Sequence, residues 1–440
     1  MMKNRLSALP IALGTILLLV VAIWNAFPLL YADTSTYLVS GFELETPFDR
    51  PISYGVLLRI FSLNGLLIWL VPLVQSALVA WLTLRLFHTN ENPKLKWFGV
   101  LTLLLSVVFS TASWYTSLLV PDIFTGIGVL ALANLFLKEC SKGTAILLYT
   151  VFTVSVTTHL GHISYFLAVI VLTSAIKLFV GKHIFGSFSW RRLAVAGALT
   201  LLSIASMGSA FAKARNAFFL AAMLENGVLE PYLNEACETQ ELAICKYQDE
   251  LPQKAWEFLW KPNSPFAKMG GFKGTREEFG DIVRETLTTP KYIGWHMKAS
   301  VKATYRQAYT FGVADGTGAF REGSELNERI HNYLPNAVEN FEYSRQYKDQ
   351  LKGMVKLNKF YVLTTIIFAL LVLAWLLRWN RLDQQTKGLF VFLLGALLLN
   401  AWVSGTFGNA IPRLGGKMIW MLPVIAMLGF RTQLLKPGSK

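Results

Sequence analysis

Residues 32–56 read ADTSTYLVSGFELETPFDRPISYGV and follow an apolar run that begins near residue 10. That run is about twenty residues long, enough for a helix to cross a bilayer. Asp33 is the first acid in the chain and comes as the run ends, with Tyr37 one helical turn later. Asp49-Arg50-Pro51 then precedes Tyr54 and a further apolar segment. An acid where a membrane helix meets water, with an arginine in the same loop, points to an all-α polytopic membrane protein with chemistry at one surface.

Composition agrees. Of 440 residues, 53% are hydrophobic and only 15% charged, low for a soluble protein. The basic N-terminus runs into the first apolar segment without a small-residue cleavage site, so the segment reads as a retained span. The net charge of +14 is uneven: residues 212–355 hold 18 Lys/Arg and 19 Asp/Glu, leaving 23 basic and 8 acidic residues elsewhere. Basic residues collect in short cytoplasmic loops because they resist translocation. The excess therefore reports topology, not nucleic-acid binding.

About ten spans are expected, near 10–31, 66–87, 97–113, 123–137, 144–158, 163–180, 193–211, 358–377, 388–404 and 418–430. Between the first two, 52–62 reads as an interfacial amphipathic helix. The domains are then a transmembrane module 1–211, a mostly helical insert 212–355 on the outer side, and a second module 356–440. With both termini inside, 17 of the 23 basic residues beyond the insert fall on the cytoplasmic side. Lys3, Arg5, Lys182, Lys436 and Lys440 are among them. Of the eight acids there, Glu91, Glu139 and Asp383 fall inside, and Asp33, Glu43, Glu45, Asp49 and Asp122 outside. None lies mid-membrane, where a coupled carrier usually keeps an ionisable group.

Each candidate constellation has a plainer reading. Asp33 can act as a general base on a hydroxyl, or cap an interfacial helix; Tyr37 and Tyr54 share its loop. Arg50 can bind phosphate or orient Asp33, or touch lipid headgroups. Asp122, after Pro121, is a second acid for the same site or a helix start. Two acids in separate loops could hold a divalent cation, magnesium or manganese, through oxygen ligands. His159 and His162 can share a helical face. Hydrogen bonding to substrate or ordinary packing suits them better than zinc, since no HExxH pattern or cysteine accompanies them. Arg413 and Lys417, in the last outer loop, can grip a lipid-linked phosphate or attract anionic lipid. Cys237 and Cys245 read as a disulfide in an oxidising compartment. Trp256, Phe258, Trp260 and Phe266 read as the insert's core, and the DGTG at 315–318 as a turn.

The first outer loop resembles that of the GT-C superfamily, which includes protein mannosyltransferases and aminoarabinose transferases. The likeness rests on Asp33-Thr34-Ser35-Thr36-Tyr37, on Arg50-Pro51-Ile52-Ser53-Tyr54, on Asp122 opening the fourth span, and on Arg413 near the last outer loop. It covers residues 10–140 in detail and the remainder in topology. One departure is Thr34, where many members carry a second acid; it puts metal dependence in doubt. The resemblance implies an inverting glycosyltransferase of a bacterial inner membrane. Its donor is a polyprenyl-phosphate-linked sugar and its acceptor a lipid, glycan or protein. Asp33 serves as base, Arg413 meets the leaving phosphate with Lys417 or Arg50 assisting, and Asp122, His159 and His162 hold hydroxyls. The rivals are a lipid-linked sugar flippase and a membrane anchor displaying the insert. All three are separated by whether Asp33, Asp122 and Arg413 converge.

Overall fold

The computed structural model describes residues 7–89, 92, 94–181, 184 and 189–435. Lys3, Arg5, Glu91, Lys182, Lys436 and Lys440, used above for topology, lie outside them. In chain order the described helices begin with α1 (Ala8–Leu18), α2 (Val20–Asn25), α3 (Ala32–Glu43), α4 (Ser53–Phe61), α5 (Leu70–Phe87), α6 (Leu95–Val108), α7 (Ala112–Ser117), α8 (Asp122–Leu137), α9 (Lys142–Thr157) and α10 (Leu160–Val180). A 36-residue helix follows, α11 (Trp190–Glu225). Beyond it come α12 (Leu229–Thr239), α13 (Ala255–Trp260), α14 (Arg276–Thr288), α15 (Pro290–Tyr309), α16 (Glu325–Tyr333) and α17 (Val338–Tyr343). The chain closes with α18 (Leu357–Leu377), α19 (Gln384–Phe407), α20 (Pro412–Ile419) and α21 (Met421–Leu435).

Among the described residues five helical segments are long and apolar enough to cross a membrane: α5, α10, α18 with the turn before it, α19, and α20 with α21. The apolar helices α1, α6, α8 and α9 are shorter. α18 turns Leu363, Ile367, Leu370 and Leu377 outward, an apolar surface that suits lipid. α8 is the opposite case, with every one of its 16 residues buried. It is the central post of the bundle, flanked by α5, α9, α19 and α20.

The expected loops are more ordered than the sequence implies. Residues 32–43 form α3, 112–117 form the buried α7, and 412–419 form α20. Each stretch is polar enough to interrupt hydropathy, yet each is tied to a neighbouring segment: Arg59 reaches the Gly41 and Phe42 C=O groups, Gln75 that of Thr116, and Tyr115 that of Arg413. Gln346 holds the extended segment before α3: its side chain accepts from Leu30 N–H at 2.9 Å and donates to Leu30 C=O at 2.7 Å.

α11 runs without a break through residues 211 and 212, so that boundary falls inside a helix. The stretch beyond it packs in two ways. Residues 217–292 form their own core around Leu220, Tyr232, Phe258 and Phe279, tied by the Cys237–Cys245 disulfide. Leu326, Ile330, Leu334 and Phe341 instead join the core of the helical bundle. Phe258 and Phe266 are core residues as expected, but Trp256 and Trp260 are half exposed.

Candidate active site

Two backbone segments set the level of the two acids. Leu29 N–H donates to Ser117 C=O and Leu119 N–H to Leu29 C=O, both at 2.9 Å, a parallel bridge of Leu29 with Leu118. Asp33 and Asp122 each lie four residues beyond their own bridge residue, so they enter the same end of the bundle side by side. Thr34 seals this junction. Its hydroxyl accepts from Tyr31 N–H and donates to Leu119 C=O, both at 3.1 Å. The residue that stands where a second acid was expected is therefore a fastener between α3 and the approach to α8.

The Arg50 loop is placed by a close helix crossing. A Cβ on Gly41 would lie 2.1 Å from Gly55 O, so α3 and α4 touch backbone to backbone. The contact sets Tyr37 edge-on to Tyr54 at 5.0 Å. Arg50 stacks over Tyr37, its guanidinium 5.4 Å from the ring centroid, a cation–π contact worth about 0.5–2 kcal/mol. Tyr54 donates to Gln75 Oε1 at 2.9 Å, and Gln75 anchors to Thr116 C=O.

The charged centre joins segments far apart in sequence. Arg413 Nη1 meets Asp33 Oδ2 at 2.8 Å, and its Nε lies 3.5 Å from Asp122 Oδ2. Arg50 Nη1 meets Asp33 Oδ1 at 3.1 Å while its Nη2 holds Asp49 at 2.7 Å. The side chain of Asp33 is 26% exposed, that of Asp122 only 3%. Burial alone would raise the Asp33 carboxyl, but the Arg413 and Arg50 guanidiniums outweigh it and hold it well below the usual carboxylate range. Arg413 also stacks over Tyr31 at 4.2 Å. Among the described residues neither Arg413 Nε nor Asp122 Oδ2 has a hydrogen-bond partner, an incomplete pairing that costs free energy in a buried site.

α20 brings Arg413 and Lys417 together four residues apart on one helix, where a loop was expected. Lys417 is buried and within electrostatic reach of Asp122, and among the described residues it makes no hydrogen bond or ion pair. Tyr115 fixes the helix start, its hydroxyl 3.0 Å from both Arg413 C=O and Gly312 C=O. Asp315, read only as a turn residue, stands exposed at the rim in electrostatic range of Arg413.

The two histidines separate. His162 donates from Nδ1 to Ser155 C=O at 2.6 Å, which leaves Nε2 to accept from Thr125 at 2.8 Å. With both nitrogens engaged it is a packing residue and is not free to hold substrate. His159 accepts from Gly161 N–H through Nδ1 at 3.0 Å, so its Nε2 carries the proton. Burial, then the Lys417 and Arg413 charges, push its imidazole down to about 3.

Arg413 stands between Asp33 and Asp122, the two acids read as possible ligands of a shared cation, and among the described residues no three His, Cys, Asp or Glu converge. No protein-family model, curated protein or solved structure matches this chain.

Proposed function

We propose that this chain is a membrane glycosyltransferase of the GT-C type that takes sugar from a polyprenyl-phosphate donor. The observation that supports this reading most directly is the contact of one guanidinium, that of Arg413, with both Asp33, 380 residues away in sequence, and Asp122. Arg50 and Lys417 stand at the same centre. A phosphate entering it finds a bidentate arginine and a second cation already desolvated.

In this reading the acceptor oxygen attacks the anomeric carbon as the bond from that carbon to the phosphate oxygen breaks. The electron pair leaves with the lipid phosphate, which Arg413, Lys417 and Arg50 neutralise. Asp33 takes the acceptor proton. Two guanidiniums make Asp33 a weak base at rest, so the donor phosphate has a second role: it draws Arg413 and Arg50 onto itself and raises the basicity of Asp33 as the complex forms. Asp122 keeps Arg413 in place, and the His159 N–H donates to a hydroxyl. About ten spans, cytoplasmic termini, an outer insert and a bacterial inner membrane belong to this proposal, as does the acceptor: lipid, glycan or protein.

The test compares glycolipids and glycans by mass spectrometry in cells carrying wild type or Asp33→Asn at matched membrane abundance. Loss of one sugar, with its bare acceptor accumulating, is the expected result. An unchanged profile, when deletion of the gene alters it, removes Asp33 as base and favours the flippase or anchor.

A further inference from the structure

α15 is twenty residues long, about 30 Å of helix, and leaves one apolar face uncovered. Ile293, Met297, Val301, Tyr305 and Tyr309 recur every fourth residue along it and are all exposed, Met297 by 67% and Val301 and Tyr305 by 73% each. That spacing makes a single stripe. A second row one position round, Lys298 and Lys302, is exposed and has no hydrogen bond or ion pair among the described residues. No acid occurs between Glu285 and Asp315, so the uncovered side is apolar and basic without compensation.

The opposite side of α15 is committed to α19, one of the helices long and apolar enough to cross a membrane. Trp402 donates its indole N–H to Ser300 at 2.9 Å, and Ser300 shares a 2.8 Å hydrogen bond with Thr406. A Cβ on Gly405 would lie 2.6 Å from Ala303 O, so the two backbones are in contact. Leu398, Trp402 and Phe407 of α19 are themselves exposed. The apolar surface of α19 therefore continues onto α15. A tryptophan at the seam, its indole N–H satisfied, is the residue expected at the boundary of hydrocarbon and water.

We propose that α15 is an interfacial membrane helix, lying in the leaflet at the Asp33 end of the bundle. Its stripe enters the acyl chains, and Lys298 and Lys302 meet anionic headgroups. The proposal rests on α19 crossing a bilayer and needs no assumption about sugar transfer. It carries a consequence for the charged centre. Gln307, near the end of α15, donates to Ile411 C=O at 3.2 Å, and Gly312 N–H donates to Pro412 C=O. The depth of α15 in the leaflet thus fixes the depth of Arg413.

The experiment uses the full chain with Cys140→Ser, reconstituted in phosphatidylcholine–phosphatidylglycerol vesicles. Met297→Cys, Val301→Cys and, as control, Glu277→Cys on α14 each carry a bimane label. Lipids brominated in the acyl chain should quench the label at 297 and 301 several-fold more than at 277, and aqueous iodide on both sides should show the reverse. Lys298→Gln with Lys302→Gln should remove the dependence of that protection on phosphatidylglycerol. Iodide quenching at 297 and 301 as strong as at 277 overturns the proposal. So does quenching by neither agent, which would mean that another protein surface covers the stripe.

Discussion

The bundle has a buried arginine–aspartate cluster at each end of α8, and the two are built differently. At the far end Arg431 reaches Asp383 at 3.7 Å, Thr386 at 3.1 Å and Gln385 at 2.5 Å. Asp383 in turn accepts from the hydroxyls of Thr386 and Thr432 at 2.6 and 2.7 Å. Hydroxyls and an amide take up most of the hydrogen bonding there, Lys138 also reaches Gln385 Oε1 at 3.4 Å, and Arg192 and Gln385 close the last carbonyls of α8. At the Asp33 end, charge faces charge: two carboxylates share Arg413, a second arginine and a lysine stand by, and no hydroxyl intervenes between Arg413 and either carboxylate. A cluster saturated with neutral hydrogen bonds fastens helices. One held only by opposed charges can exchange a partner for an incoming anion.

That contrast can be broken by experiment. The largest effect is expected for Arg413→Gln, which should lower sugar transfer by at least ~100-fold, as when a charge-stabilising donor is lost, with the protein still present in the membrane. Arg431→Gln should be about 3–5 kcal/mol less stable, as when one partner of a buried pair is removed, a cost Arg413→Gln can share, but it should leave turnover per folded molecule unchanged. Thermal unfolding in detergent beside transfer assays separates the two. Gly55→Ala tests the scaffold, since its methyl collides with Ser40 and with backbone of α3. A cost of roughly 1–3 kcal/mol is expected for such overpacking, with a fall in transfer because Arg50 moves off Tyr37. The smallest effect is on pH dependence. The folded-state pKa of Asp33 is depressed, so its contribution is full above the unfolded value near 4. It is lost as pH falls further toward the folded pKa. Asp383, held low by the Thr386 and Thr432 hydrogen bonds despite burial, behaves alike. Melting temperatures between pH 7 and 3 should therefore drop less steeply in Asp33→Asn and in Asp383→Asn than in wild type.

Asp33, Arg50, Asp122 and Arg413 could be picked out in sequence because each stands in a polar stretch between apolar runs, and hydropathy marks such places. The fastenings could not. Thr34, Gly41, Gly55 and the bridge of Leu29 with Leu118 act through contacts between segments that composition does not pair. Nor does anything in the one-dimensional pattern place a guanidinium between Asp33 and Asp122. Trp256 and Trp260 were assigned to a core by residue type, although their positions on α13 leave them half exposed. His159 and His162 looked equivalent by spacing, yet one is sealed by Thr125 and Ser155 and the other is not.

The bridge of Leu29 with Leu118 has a consequence for biogenesis. It is complete once the first quarter of the chain has emerged, and it holds two acids together long before Arg413 exists. The 291 residues from Asp122 to Arg413 take on the order of 15–60 s to translate at about 5–20 residues/s. For that interval Asp33 already has Arg50 beside it, while Asp122 waits for the guanidinium that the closing helices bring. An unfinished chain thus differs from a finished one at this site by the unmet charge of Asp122.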